Sequence, residues 1–201
     1  MTPINDNNPT PANRPVMVGL TGKRNVGKTT LANLLEEEFG FNRIHAFGAG
    51  KEAALTWFAE ATGNVDRAVR MVYGDLKDKP CADLPGGVAP RYFLEKFGHF
   101  MGVDLGVDWT LAVEINKARR ESPHAPIVVE SVVYEAEWFR RAGGVIVRLE
   151  RPDFKSPEGV ESDAAQGLID ADVTISAGSV EELEQEGRRL VDWLAGERRA
   201  A

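Results

Sequence analysis

The stretch Pro15–Phe39, with the sequence PVMVGLTGKRNVGKTTLANLLEEEF, contains a short apolar run, a glycine-rich turn and an amphipathic segment in that order. Residues 15–21 show the pattern of a buried parallel strand, bounded by a proline and by the glycine-rich turn. From Thr29 to Phe39 the apolar residues recur at helical spacing, and Gly40 then provides a stop signal. The stretch therefore predicts a strand, a loop and a helix in close succession.

The loop of this unit fits the pattern G-x-x-x-x-G-K-[ST] at every fixed position. Gly22 and Gly27 allow backbone angles that turn several N–H groups toward one phosphate, and the following helix adds its N-terminal dipole. We expect Lys28 to bridge the β- and γ-phosphates of ATP and the Thr29 hydroxyl to bind Mg²⁺. The residues predicted to hold the nucleotide are Gly22, Lys23, Arg24, Asn25, Val26, Gly27, Lys28, Thr29 and Thr30.

Strand and helix patterns alternate along the rest of the chain. Further strands are predicted at 43–47, 127–129, 145–149 and 172–175, and further helices at 51–63, 65–73, 91–101, 109–120, 135–142 and 180–194. This alternation indicates an α/β fold with a mainly parallel sheet between two helical layers, the three-layer α/β/α sandwich of P-loop NTPases. Ligands of such folds bind at the carboxyl edge of the sheet, where the strands end.

Composition and charge limit the classes of function. The chain has 201 residues, a net charge of −7 and one cysteine, Cys81, which predicts a reducing, cytoplasmic location and a plain loop thiol. No apolar run is long enough to span a membrane. The negative charge argues against a general nucleic-acid binder, although a local basic track stays open at Arg67/Arg70, Lys77/Lys79, Arg119/Arg120 and Arg140/Arg141.

With these motifs in order, the chain resembles the phage deoxynucleoside monophosphate kinases, a branch of the P-loop nucleoside monophosphate kinases. The resemblance covers about residues 15–195. Besides the phosphate loop, it rests on residues 45–47 with Lys51, and on residues 75–79, 90–98, 108–109, 135–137, 143–146 and 148–152. It implies a single P-loop kinase domain at 15–201 with a lid at about 150–166, and a location in the host cytoplasm if the protein is phage-encoded. Residues 1–14, which are rich in Asn, Pro and Thr, predict a flexible tail before this domain.

The resemblance also assigns roles to residues outside the loop. It implies ATP and Mg²⁺ as cofactors, with Lys28, Glu130 and the lid arginines Arg148 and Arg151 in catalysis. The acceptor nucleotide would be held by Phe47, Lys51, Lys77, Arg91, Trp109 and Glu130. Phe47 and Trp109 would stack on its base, unless they belong to the core.

Two departures from the family pattern leave the acceptor open. Glu130 is followed by Ser131 and Val132, so the arginine expected two positions after the acid is missing, and the lid has Val160-Glu161-Ser162-Asp163 in place of a His-x-Ser-Glu-like element. We favour a free deoxynucleoside monophosphate as acceptor. The alternative is a phage 5-hydroxymethyluracil DNA kinase acting on the hydroxymethyl group within DNA, and a non-catalytic nucleotide-binding module ranks third.

These readings give Glu130 different roles. A monophosphate acceptor is already anionic, so Glu130 would hold the water shell of Mg²⁺, whereas a hydroxyl acceptor needs a general base. The sequence leaves the oligomeric state open, with a homodimer as one option.

Overall fold

The computed structural model describes residues 15–152 and 165–200, with side chains as far as residue 196. The predicted tail at 1–14 and residues 153–164 of the predicted lid lie outside the described residues. The division into a tail and one domain therefore stays a prediction.

Strands and helices alternate along the described chain as the sequence predicts. The strands are β1 (Met17–Thr21), β2 (Asn42–His45), β3 (Ile127–Glu130), β4 (Val145–Glu150) and β5 (Val173–Ser176). The main helices are α1 (Lys28–Phe39), α2 (Gly48–Thr62), α3 (Val65–Val72), α4 (Pro90–His99), α5 (Leu111–Glu121), α6 (Ala136–Arg141) and α7 (Val180–Ala200).

The strands form one sheet in the order β2-β3-β1-β4-β5, and every neighbouring pair is parallel. The central strand, β1, is buried along its whole length. The register places His45, the last residue of β2, beside Glu130, the last residue of β3. The phosphate loop follows β1, so all three strand ends meet at one edge of the sheet.

Helices cover both faces of the sheet because successive strand residues point to opposite sides. Val18, Leu20 and Val128 belong to the core cluster beneath α1 and α7. Met17 and Val129 belong to the cluster beneath α5 and α6. The predicted three-layer α/β/α sandwich with the loop between β1 and α1, the architecture of P-loop NTPases, is confirmed.

A third core cluster lies beside the sheet, between β2 and α5 in sequence. It joins α2, α3 and α4 around Phe58, Met71 and Leu94 and also buries Cys81, the predicted loop thiol. Leu94 of this unit also lines a cavity at the carboxyl ends of β2 and β3. Within residues 15–152 and 165–200, no helix is both long and apolar enough to cross a membrane.

The segment between α4 and α5 departs from the sequence prediction. Residues 103–108 have no clear pattern, and the helix predicted at 109–120 begins only at Leu111. The chain instead forms a π-helix at Phe100–Leu105 and a 3₁₀ turn at Val107–Trp109, separated by Gly106 with a φ of 92°. Residues 75–90, whose three prolines and two glycines predict a loop, contain a 3₁₀ turn at Pro85–Gly87.

Candidate phosphoryl-transfer site

The phosphate loop has the backbone geometry that its glycines predict. Gly22 has a φ of 132°, and a Cβ there would lie 2.4 Å from the carbonyl oxygen of Leu149. Gly27 has a φ of 102° and is the N-cap of α1. Any side chain at Gly22 would collide with β4, so the tight turn depends on glycine.

The N-terminus of α1 is suited to an anion. Among the described residues no side chain caps it, and its first turn contains no acidic residue. The first N–H groups of a helix lack partners within the helix and carry a partial positive charge, which favours a phosphate. Val26 is buried in the core beneath α1, which anchors the middle of the loop.

Lys28 lies across this loop. Its ammonium donates hydrogen bonds to the carbonyl oxygens of Gly22 and Lys23, the second at 2.7 Å. The charge is therefore held over the concave side of the loop, where phosphate oxygens of a nucleotide would be received. The residues present fit the polyphosphate of ATP.

Glu130 connects the phosphate loop to the neighbouring strands. Its Oε1 accepts a hydrogen bond from the Thr29 hydroxyl, and its Oε2 accepts two from Arg43, at 3.0 Å from Nε and 2.6 Å from Nη2. Its side chain is only 16% exposed. The next residue, Ser131, has a φ of 72°, an uncommon value for a residue other than glycine that costs free energy and clusters at functional sites.

The environment of Glu130 keeps it ionised. Burial alone would raise the pKa of this carboxyl, but hydrogen bonds from Thr29 and Arg43 outweigh it and lower the pKa below the ordinary value. A hydroxyl beside a carboxylate suits Mg²⁺, which is commonly bound by one or two such groups together with water and substrate phosphates. Within the described residues no cluster of three potential metal-ligating side chains occurs, so Thr29 and Glu130 would hold the ion only together with the nucleotide.

Arg43 is a site residue that the sequence analysis missed. It reaches Glu130 from β2, and its Nη1 also donates to the side-chain oxygen of Asn33 on α1. It supplies a cation at the tip of β3, where the family pattern would place an arginine at position 132. Val132 is fully buried, and its methyl group would lie 2.8 Å from a Cβ at Gly19, so that position belongs to the core.

A cavity of about 150 Å³ opens at the carboxyl ends of β2 and β3, which we call the acceptor cavity. Four of the predicted acceptor residues line it: Phe47, Lys51, Lys77 and Arg91. His45 and Glu135, which the sequence analysis did not single out, line it as well. The structure thus brings together three cations that lie far apart in the sequence.

Two predicted acceptor residues do not line this cavity: Glu130, which lies at the tip of β3 against Thr29 and Arg43, and Trp109. The Trp109 side chain belongs to the 3₁₀ turn before α5 and is 63% exposed. Phe47 instead packs at the cavity wall against Phe97, with ring centroids 5.5 Å apart and ring planes at 80°. Phe47 therefore lies at the cavity wall and Trp109 does not, and stacking on a base stays a prediction for both.

The basic groups of the cavity perturb one another. Burial, followed by the charge of Lys77, lowers the pKa of Lys51 to about 8. Burial also lowers the pKa of Lys77, with Arg91 as the next cause. Glu95 and Glu135 also line the cavity, but burial raises the pKa of Glu135, so positive charge is in excess there and favours an anionic ligand.

His45 is neutral between the two sites. Burial, with the charges of Lys51, Lys77, Arg43 and Lys28, lowers the pKa of His45 well below its usual value. Its Nδ1 accepts a hydrogen bond of 3.0 Å from the backbone N–H of Phe47. The ring proton is therefore on Nε2.

The predicted lid arginines lie on the other side of the phosphate loop. Arg148 and Arg151 border a cavity of about 290 Å³ that also includes Gly22, Lys23 and Gln166. Arg148 donates a hydrogen bond to the carbonyl oxygen of Ile169. Arg151 also borders a smaller cavity of about 140 Å³ beside Asn25, Thr30 and the start of α7. The two arginines flank the donor side, and a role in transfer stays a prediction.

Comparison with known proteins finds one whose sequence is similar to this chain and whose name is that of a kinase. No model of a known protein family matches the chain. A protein of Acanthamoeba polyphaga mimivirus, whose name assigns it by inference to the deoxynucleotide monophosphate kinases, is 25% identical over 161 residues. The match covers 71% of this chain and 78% of the viral protein.

Solved structures give a weaker likeness. A cysteine-to-alanine variant of the APS kinase CysC of Mycobacterium tuberculosis aligns with a TM-score of 0.36 and 16% identity, over 89% of this chain and 98% of that one.

Proposed function

We propose that this chain is an ATP-dependent kinase that transfers the γ-phosphate to a free deoxynucleoside monophosphate. The observation that carries the proposal is that the end of β3 lies between the phosphate loop and the acceptor cavity. Glu130 contacts Thr29 of the phosphate loop, and its charge acts on Lys51 of the acceptor cavity. Donor and acceptor phosphates bound on the two sides would meet at this edge of the sheet.

The residues of the chain divide the work of the reaction. The loop N–H groups and Lys28 bind the β- and γ-phosphates, and Thr29 with Glu130 holds Mg²⁺, which neutralises the polyphosphate when bound. Lys51, Lys77 and Arg91 hold the acceptor phosphate in line. Because a phosphate acceptor is already anionic, alignment and positive charge suffice without a base.

The state of Glu130 favours a monophosphate acceptor over a hydroxyl. A general base needs a lone pair directed at the acceptor and a pKa near the working pH. Both oxygens of Glu130 accept hydrogen bonds, from Thr29 and Arg43, and its pKa is lowered. The missing arginine at position 132, together with the retained Glu130, would by itself favour a hydroxyl acceptor, but Arg43 supplies a cation at this strand tip.

The charge distribution gives no support to a DNA acceptor. Several members of the basic clusters are paired with acids: Arg67 with Asp83, Arg70 and Lys79 with Asp75, and Arg140 with Asp172. DNA affinity depends on cations that neutralise backbone phosphates, and at each of these positions a carboxylate would first have to be displaced. The similarity to the mimivirus protein adds support for a nucleotide acceptor.

The test is transfer of label from γ-³²P-ATP, offered with dAMP, dGMP, dCMP, dTMP and, separately, duplex DNA that contains 5-hydroxymethyluracil. We expect labelled deoxynucleoside diphosphate from at least one monophosphate, and none with Lys28→Ala. Label in the DNA alone would replace this proposal with the hydroxymethyl kinase. Bound ATP without label in any acceptor would indicate a non-catalytic module.

A further inference from the structure

Asp78 lies between the donor and acceptor sides of the candidate site. Its Oδ1 accepts a hydrogen bond from Arg91 Nε, and its Oδ2 accepts one of 2.8 Å from Arg91 Nη2. Arg24 of the phosphate loop approaches the same carboxylate, with Nη1 4.0 Å from Oδ1. One carboxylate therefore faces a cation from each half of the site.

The pairing with Arg91 has the form of a phosphate contact. Two parallel N–H groups of one guanidinium bind two oxygens of one anion, an arrangement that carboxylates and phosphates share. Lys77, which lines the acceptor cavity beside Arg91, adds a third positive charge near Asp78. An acceptor phosphate entering this cavity would compete for the same donors.

Exposure identifies which member of the cluster can leave. The side chains of Arg91 and Arg24 are 24% and 22% exposed, whereas that of Asp78 is 60% exposed. The Asp78 carboxylate can move into water without leaving the surface, and both arginines then stay in place. The cations are thus fixed parts of the site, and the carboxylate is the exchangeable one.

We infer that Asp78 is an internal substitute for the acceptor phosphate, which pairs with Arg91 in the empty enzyme and is displaced when the acceptor binds. The inference rests on the proposed function for the identity of the acceptor. It makes Asp78 a positioning residue with two effects. It keeps the Arg91 guanidinium oriented before the acceptor arrives, and it weakens acceptor affinity by competing with it.

A neighbouring residue of the same loop provides a matched control. Asp75 pairs with Arg70 and Lys79 at 2.8 and 3.0 Å and is also about half exposed, but neither of these partners lines the acceptor cavity, whereas Arg91 does. Asp75→Asn thus removes an equivalent surface charge from the same segment without touching Arg91.

The experiment is calorimetric titration of inorganic phosphate into protein whose phosphate loop is already filled with Mg·ADP. Asp78→Asn is expected to lower the phosphate Kd about three- to ten-fold, and Asp75→Asn to leave it within about two-fold. In the Arg91→Ala background, Asp78→Asn should give no gain. Unchanged or weaker phosphate binding by Asp78→Asn overturns the inference. A carboxylate that only orients Arg91 would weaken phosphate binding when it is removed, whereas a competing carboxylate would strengthen it.

Steady-state kinetics give a second readout on any monophosphate that is phosphorylated. Asp78→Asn should lower the acceptor KM by a similar factor, whereas a purely structural role predicts a higher KM. If no monophosphate is phosphorylated, the proposed function fails, while the phosphate titration still decides the role of Asp78. Tighter phosphate binding by Asp78→Asn without kinase activity would support the displacement of Asp78 by phosphate and reject a deoxynucleoside monophosphate as the acceptor.

Discussion

Replacing Glu130 by glutamine tests how the two halves of the site are joined. The substitution keeps the size of the side chain and removes its charge. The hydrogen bonds that Glu130 accepts from Thr29 and Arg43 then lose their ionic partner. Arg43, whose side chain is 27% exposed, would keep a partly buried charge with a weaker partner.

The expected magnitudes follow from these contacts. Hydrogen bonds to charged groups are worth about 1.5–3 kcal/mol, and glutamine can still accept one of them, so the free energy of unfolding should fall by about 1–2 kcal/mol. Loss of a residue that orients metal ligands commonly costs about 10–100-fold in metal affinity or activity. We therefore expect turnover to fall by about 10–100-fold and the Mg²⁺ concentration for half-maximal activity to rise.

Glu36→Gln is the control. Glu36 also faces Arg43, but at 3.9 Å and with a side chain that is 50% exposed. Its loss should change the free energy of unfolding by less than about 0.5 kcal/mol and leave turnover unchanged.

The assays are urea unfolding and ATP turnover across a Mg²⁺ series, with each acceptor that the protein phosphorylates. Equal effects of Glu130→Gln and Glu36→Gln would refute the assigned role of Glu130. A loss confined to a hydroxyl acceptor would show that Glu130 is a general base instead.

Three further predictions concern the acceptor cavity and its titratable groups. Since the pKa of Lys51 is about 8 and a phosphate monoester is fully ionised above pH 7, the acceptor KM should rise several-fold from pH 7 to 9. Lys51→Arg should flatten that profile, and an unchanged slope would contradict the charge role. His45 has a lowered pKa, so the unfolded chain binds its proton first and stability falls as pH drops below about 6.5, by at most about 1.4 kcal/mol per unit. His45→Asn can still accept a hydrogen bond from the Phe47 N–H. Its thermal stability should depend less on pH between pH 5 and 7 than that of the wild type, and parallel curves for the two proteins would contradict this role of His45. Phe47→Leu should raise the acceptor KM about five-fold through lost stacking, whereas Trp109→Ala should leave it unchanged, and the reverse order in steady-state kinetics would move the base to Trp109.

The sequence predicted the parts of the site that depend on local patterns. The phosphate loop is contiguous, and its glycines, lysine and threonine report the backbone geometry directly. The alternation of strands and helices likewise predicted the sandwich, because buried parallel strands and amphipathic helices have different periods. Lys51, Lys77 and Arg91 were placed by resemblance, and the structure gathers them around one cavity.

The sequence could not predict the contacts that set the charge and orientation of the site residues, because these contacts join positions that are distant in the chain. Arg43 and Glu130 are 87 residues apart and meet only through the register of β2 and β3. Asp78 and Arg91 meet across a loop without periodicity. The sequence also has no signal that separates an aromatic side chain that binds a base from one that is simply exposed, so the role of Trp109, which lies outside the cavity, stays a prediction.

The central claim is that the loop at residues 22–29 binds the polyphosphate of ATP with Mg²⁺. Calorimetric titration of ATP at millimolar Mg²⁺ tests it directly, with Lys28→Ala as the comparison. We predict saturable binding to the wild-type protein that weakens when Mg²⁺ is chelated, and a loss of at least about ten-fold in affinity for Lys28→Ala, whose thermal unfolding should match the wild type. Absence of binding heat with the wild-type protein, or equal affinity for both proteins, would contradict the account.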